Sequence, residues 1–359
     1  MRFWVLLTGA VAALGLFVVI LLVAQPTDRP VSGFTATDEG ELFPGVGARL
    51  DQVRTMAIES SGPPLTLEKA GEEWRVPQHH GYPARSDKID EVLQVFASLR
   101  ADYVAAESSR NGISGVTDPG DASSLAIRVR LLGPGKEVVA AGVFGHTLTV
   151  PGDADPTKML VRRDRDRRVW LATPVVRIET DPRTWLKRDI VDVPRDRVAE
   201  LVTTSSDGGR IALRRSNAGG LRVAEGAAGR DLTGEPQLEA AAGALKGLQF
   251  NDVRRARTVE DRARDDGSTT VATADGLSYT IRWLSDKDQT WATFSARATG
   301  SQTTEPARQA ERFNARHATW AYRLPAHVAQ YLRVSAADVR NIQRSNTGVP
   351  PETGERPQR

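Results

Sequence analysis

Residues 65–99, LTLEKAGEEWRVPQHHGYPARSDKIDEVLQVFASL, contain the change of hydrophobic period that decides the fold. Leu65-Thr66-Leu67 alternates apolar and polar, and Glu73-Trp74-Arg75-Val76 does so again after Gly71. Alternation over a few residues, bounded by turn residues, reads as strand. Beyond Tyr82-Pro83 the spacing changes. Ile89, Val92, Leu93, Phe96 and Leu99 recur at helical spacing, so one apolar face is expected on a helix over 87–99, with Ser86 or Asp87 as its cap. Upstream, Val53 to Ile58 is a further short strand, separated from Leu65 by the turn cluster Ser60-Ser61-Gly62-Pro63.

The same order recurs downstream. Val198, Leu201 and Val202 lead to the turn Asp207-Gly208-Gly209, then to Ile211-Ala212-Leu213 and Leu221-Arg222-Val223. Leu238, Ala241, Ala242, Leu245 and Leu248 repeat the helical face about 149 residues after Ile89. Leu125 to Leu132 and Leu277 to Leu284 both alternate as strands, and Val169-Trp170-Leu171-Ala172 is echoed by Thr319-Trp320-Ala321-Tyr322. Trp185-Leu186 and Tyr331-Leu332 follow as short helical or turn segments. A period this long is no solenoid repeat. It predicts an α+β chain of two tandem, duplicated antiparallel-sheet-plus-helix units, since turns as short as Gly133-Pro134-Gly135 cannot make parallel crossovers. The expected divisions are an anchor over 1–25, a tether over 26–48, a first unit over 49–195, a second, degenerate unit over 196–341 and a disordered tail over 342–359. A polar insert at 298–310 (ATGSQTTEPARQA) reads as a mobile loop.

Phe3 to Ala24 carries no charged side chain. About 20 apolar residues span the hydrocarbon core as a helix, whereas a signal peptide has a core of roughly 7–15. A retained single-pass transmembrane helix is therefore expected. Arg2 lies on one flank, and Asp28 and Arg29 nearly cancel on the other. The bias puts the N-terminus in the cytoplasm and the main domain outside a bacterial cytoplasmic membrane, on the periplasmic side.

The 48 basic and 45 acidic residues give a net charge of +3 and no clustered basic stripe, so no nucleic-acid partner is expected. The densest run, Arg162-Arg163-Asp164-Arg165-Asp166-Arg167-Arg168, is interleaved with Asp and reads as a solvated hairpin turn, the alternative being a patch for anionic lipid headgroups. There is no cysteine. The five histidines, 79, 80, 146, 317 and 327, show no H-x-x-x-H pair, so no metal site is expected. No G-x-S-x-G, P-loop or dinucleotide fingerprint is present; Asn111-Gly112-Ile113-Ser114-Gly115 has its glycines too close together. Catalytic and cofactor-binding residues are accordingly expected to be none. Tryptophan in strands commonly packs in cores. The alternative is an interaction surface, for which Trp74, Tyr82 and Trp185 are the candidates.

Leu-Thr-Leu at 65–67, Glu-Trp-Arg-Val at 73–76, Tyr-Pro-Ala at 82–84, the helix ending Phe-Ala-Ser-Leu-Arg at 96–100, and Trp185-Leu186-Lys187-Arg188-Asp189-Ile190 together resemble the DUF4340 family of bacterial membrane-anchored proteins. The resemblance runs over roughly 50–340 and implies an accessory protein of an ABC transport system of the gliding-motility auxiliary type, with no catalytic residue to carry over. The expected function is thus a non-catalytic, membrane-tethered extracytoplasmic interaction module with a protein partner in the envelope, such as an ABC permease complex. The alternatives are a small-molecule or glycan-binding protein using a groove between the units, and an envelope hydrolase without a recognised motif.

Overall fold

A computed structural model describes residues 33–105, 114–120, 124–217, 219–225, 235–299 and 305–345. The anchor expected at 3–24 lies outside these residues, as does 346–359. Among the described residues no helix is long and apolar enough to cross a membrane. The chain is a strand-rich α+β protein that divides into two compact units. The first comprises residues up to Glu73 together with Ser86–Thr180, and the second comprises Trp74–Arg85 with Asp181 onward.

In the first unit lie β1 (Phe34–Glu41), β2 (Thr55–Glu59), β3 (Leu65–Ala70), the start of β4 (Glu73–Val76), α1 (Ser86–Ser98), β6 (Arg100–Ala105), β7 (Ile127–Leu132), β8 (Val138–Thr149), β9 (Thr157–Arg163) and β10 (Trp170–Thr173); β5 (Tyr82–Pro83) belongs to the second. The first unit's strands pair in the order β1-β6-β10-β9-β8-β7-β2-β3, and each of these ladders is antiparallel. The helical face read from the sequence is the one that packs. Ile89, Val92, Phe96 and Leu99 are each at most 1% exposed. Phe96 meets Phe144 of β8 at 5.3 Å and Phe43 at 4.9 Å between ring centroids. Burying side chains of this size contributes about 1.5–3 kcal/mol each. Gly142, two residues before Phe144, leaves room for Phe43, whose ring would lie 2.9 Å from an added Cβ.

The other face of this sheet carries a second, smaller core, in which Val143, Leu160 and Leu171 pack with Val116 and Ala126. Residues 114–118 press close there: a Cβ on Gly145 would stand 2.2 Å from the Gly115 carbonyl oxygen. Only glycine permits that approach.

The second unit contains β11 (Asp189–Val191), β12 (Val198–Ser205), β13 (Arg210–Arg215), β14 (Leu221–Glu225), α2 (Pro236–Gly243), β15 (Leu248–Gln249), β16 (Asp252–Arg255), α3 (Ala256–Glu260), β17 (Arg264–Thr273), β18 (Leu277–Asp286), β19 (Gln289–Ala298), α4 (Glu305–His317), β20 (Trp320–Arg323), α5 (Ala326–Leu332) and α6 (Ala336–Ser345). Its main sheet runs β14-β13-β12-β17-β18-β19-β20-β16. Read from the far end, β16-β20-β19-β18-β17-β12-β13 follows the first unit's β6-β10-β9-β8-β7-β2-β3 strand for strand. The likeness extends to the entry of each unit. Glu41 pairs with Arg100 at the end of β1, and Asp189 pairs with Gln249 in the small β11-β15 sheet.

That correspondence corrects the expected boundaries. The stretch read as a tether over 26–48 includes β1 and a 3-10 turn beginning at Gly47. Phe34–Glu41 was missed because its pairing with β6 uses backbone groups, and its sequence, FTATDEGE, has almost no apolar alternation. The units divide at Thr180, not at 195, since β11 is an opening strand of the second unit. The insert at 298–310 is shorter than expected. Residues 300–304 lie outside the described set, but α4 starts at Glu305, with Pro306 in its first turn and Ala307 and Ala310 buried. The tail likewise begins later, because α6 continues through Ser345.

Candidate functional site

Trp74, Tyr82 and Trp185 all belong to the second unit and are 5%, 2% and 0% exposed. They do not form the presented surface expected of them. The Tyr82 ring meets Trp320 edge-on at 4.8 Å and Phe250 at 5.3 Å, inside an aromatic cluster that continues to Tyr322. The Ala84 N–H donates to the Trp74 carbonyl, and the Arg85 N–H to that of Trp185, both at 2.7 Å. These residues fix the segment Trp74–Arg85 within the second unit. The physical reason is area. Large aromatic rings bury 150–250 Å² each, roughly, and the edge-to-face geometry adds to that gain.

The histidines also have local roles. His79 lies 3.7 Å from Asp252, and burial holds its pKa below the ordinary value against the pull of that carboxylate. His317 is 1% exposed; its Nδ1 is 2.7 Å from the Tyr322 hydroxyl. Burial, with the nearby Arg316 charge, lowers His317 to about 4, so the ring is neutral at physiological pH. Burial raises the Tyr322 hydroxyl, with Tyr82 adding to the effect, so it stays protonated. Among the described residues no group of three or more His, Asp or Glu side chains could hold a metal ion.

An open surface lies at the C-terminal helices, and its aromatic member is Tyr331, 36% exposed. The Leu332 carbonyl ends α5 over the sheet, where it accepts from Thr269 Oγ1 at 2.6 Å and from Thr203 Oγ1 at 3.4 Å. Trp283 Nε1 donates to the same Thr269 oxygen at 2.9 Å. Arg333 follows, 5.7 Å from the Trp283 ring centre and 3.2 Å from Asp266. Burial pushes the Asp266 carboxyl up, but hydrogen bonds from Ser285 and Arg264 and the Arg333 charge bring it below its ordinary value. Ser335 then caps α6. Its backbone N–H and Oγ both donate to the Asp338 carboxylate, at 2.8 and 2.6 Å, and the Asp338 N–H returns a bond to Ser335 Oγ at 3.2 Å. This is a reciprocal cap with Asp in the place of Glu.

Two hollows adjoin this helix pair, of about 290 Å³ and about 500 Å³, and Gln330 and Asp338 line both. The smaller has Tyr331 at its side and the buried Leu238, Val334 and Ile342 beneath. The larger is edged by Thr290 at the start of β19 and by Arg323 and Arg333. An apolar floor with amides, one ring and charges of both signs around it suits the surface of another protein. In the sequence Tyr331 stands out only as the neighbour of Leu332. One of two adjacent helical residues must face away from the core, but which one does so is settled by packing.

A family model described as a domain of unknown function, DUF4340, matches residues 74–270, more than half of the chain. The chain belongs to that family. No curated protein matches it.

Proposed function

We propose that this DUF4340 chain is a non-catalytic interaction module made of two copies of one sheet-and-helix unit. In this reading it is tethered by Phe3–Ala24 to the bacterial cytoplasmic membrane and serves as an accessory component of an ABC-type transport or envelope complex. The observation that carries the reading is the surface around Gln330, Tyr331 and Asp338. There a helix pair, its second member capped by Ser335, presents an exposed ring beside two hollows, while the candidate aromatic residues and the shifted histidines have partners within the fold. The shared strand order supports the duplication. The apolar run and its flanking Arg2 support the placement and orientation.

The test is affinity purification of the tagged full chain from native membranes in mild detergent. A stoichiometric membrane-protein partner is expected with the native chain and a reduced yield of that partner with Tyr331→Asp. Recovery of the native chain alone, as a monodisperse monomer, would refute the reading.

A further inference from the structure

The first unit carries a hollow of its own, about 230 Å³, on the sheet face opposite α1. Its walls are Asp118, Arg128, Arg130, Arg162, Asp164 and Arg165. The sheet register builds it. Arg128 of β7 pairs with Glu59 of β2 on one side and with Val143 of β8 on the other, and Val143 pairs with Arg162 of β9. Paired residues point to one face, so Glu59, Arg128 and Arg162 form a row across the sheet. Arg130 lies two residues along β7, and Arg165 comes from the β9–β10 turn, where its backbone is left-handed.

The arginines are incompletely satisfied by the carboxylates around them. Asp118 bridges Arg128 Nη2, at 2.6 Å, and Arg162 Nη2 with one oxygen. Arg128 Nε is 3.0 Å from Asp164 but out of line for a hydrogen bond. Arg130 binds Glu59 through Nη2, yet its Nε is buried without a hydrogen-bond partner. Arg165 reaches Asp164 only at 3.9 Å, and its side chain is 94% exposed. Four guanidinium groups thus face three carboxylates, Glu59, Asp118 and Asp164. Asp118 is the exposed one, 65% accessible, on the segment that Gly145 and the Arg162 Nε–Val116 carbonyl bond hold over the sheet. Burial pushes the Asp118 carboxyl up, and its hydrogen bonds and charge contacts with Arg162 and Arg128 more than reverse that.

We infer that this hollow is a binding site for the phosphate group of a phosphate ester, with Asp118 occupying it as an internal stand-in when it is empty of ligand. A carboxylate can serve two guanidinium groups. A tetrahedral dianion has a further oxygen or two for Arg130 and Arg165, and charge-assisted bonds of this kind are the strong ones. The volume equals about eight waters at roughly 30 Å³ each, enough for a phosphate and the first carbons of its ester. The site is separate from the surface around Tyr331 and stands whether or not that surface binds a protein.

Isothermal titration of the full chain in a maltoside detergent, with inorganic phosphate and glycerol phosphate as probes, tests this. Saturable binding is expected. Asp118→Asn should tighten it by about threefold to tenfold, because the internal competitor is lost, and Arg165→Gln should weaken it by about threefold. Arg162→Gln should weaken it most, but Arg162 also holds the Val116 carbonyl, so the exposed Arg165 keeps the test independent of folding. Titration of the same chains with a short-chain phosphatidic acid in the same detergent distinguishes the sources. Binding tighter than that of glycerol phosphate that falls with Arg165→Gln identifies a lipid headgroup; binding to the soluble probes alone identifies a free ester. Absence of saturable phosphate binding, or binding that Asp118→Asn and Arg165→Gln leave unchanged, overturns the proposal.

Discussion

Acidification should unfold the second unit in a pH window set by one buried ring. His317 closes α4, its ring 4.5 Å from Phe313 and its Nδ1 2.7 Å from the Tyr322 hydroxyl. Its pKa is lowered from 6.5 to about 4, burial being the larger cause and the Arg316 charge the smaller. The unfolded chain therefore takes up a proton at pH values where the folded chain does not. The stability due to the neutral ring is fully present above about pH 6.5 and is lost as the pH falls towards 4. The loss follows RT ln[(1 + 10^(6.5 − pH))/(1 + 10^(4 − pH))], which is about 2 kcal/mol near pH 5 and about 3 kcal/mol near pH 4. The surface carboxylate on the same helix acts lower. Glu305, held down to about 2 by Arg308 and Arg312, loses its stabilisation between about 4.5 and 2. His317→Gln removes the titration and keeps an amide that can meet the Tyr322 hydroxyl. Urea unfolding of the full chain and of this variant, followed by tryptophan fluorescence from about pH 7.5 to pH 4.5, gives the comparison. The native chain should lose about 2.5 kcal/mol more than the variant over that range. A stability difference between the two that does not change with pH would refute the assignment of a neutral buried ring.

Three further perturbations probe other parts of the fold. Lys158, 3% exposed, places its ammonium 3.2 Å from Asp102 and 3.3 Å from Asp153, which also accept from Thr173 and Tyr103; Lys158→Met strands both carboxylates and should cost about 3 kcal/mol in thermal or urea unfolding, partly recovered at low pH. Gly145→Ala drives a methyl into the Gly115 carbonyl and should cost about 2 kcal/mol while speeding amide exchange over 114–120; unchanged exchange there would contradict the close approach. Tyr82→Ala should destabilise the second unit by about 3–5 kcal/mol, as expected of a core ring, and a loss under about 1 kcal/mol would show that the ring is not packed.

Much of the architecture was legible because two periodicities do not resemble each other. Ile89, Val92, Leu93 and Phe96 could share a face only on a helix, and α1 buries all four together with Val95. Leu65 and Leu67 could share one only on a strand, and both are at most 2% exposed. Trp170 and Trp320, each preceding apolar residues in two separated stretches of like sequence, open strands at corresponding places in the two sheets. The basic run at 162–168 covers the end of β9 and the turn to the antiparallel β10, so the expected hairpin turn begins only after Arg163, and Arg162 and Arg165 line the phosphate-sized hollow described above. What could not be read are features that belong to backbone and tertiary contacts. The strand Phe34–Glu41 is defined by its ladder to β6, interrupted by a bulge before Gly40, and not by side-chain pattern. A tryptophan in a strand or a short turn looks the same whether it faces solvent or core, so Trp74 in β4 and Trp185 in its 3-10 turn could not be placed by sequence alone. Nor does the order of residues disclose that Tyr82 belongs with Trp320, more than two hundred positions away.

The assignment of Trp74–Arg85 to the second unit has a mechanical consequence. The chain passes between its compact units after Glu73, again after Arg85 and a third time after Thr180. A load applied to one unit by a moving partner is shared by three covalent connections. A single protease cut at any one of them leaves the other two holding. The halves are accordingly not modules that can be exchanged or expressed by division at one linker. A fragment beginning at Asp181 lacks Tyr82 and the Ala84–Leu186 bridge, and with them part of its own aromatic core.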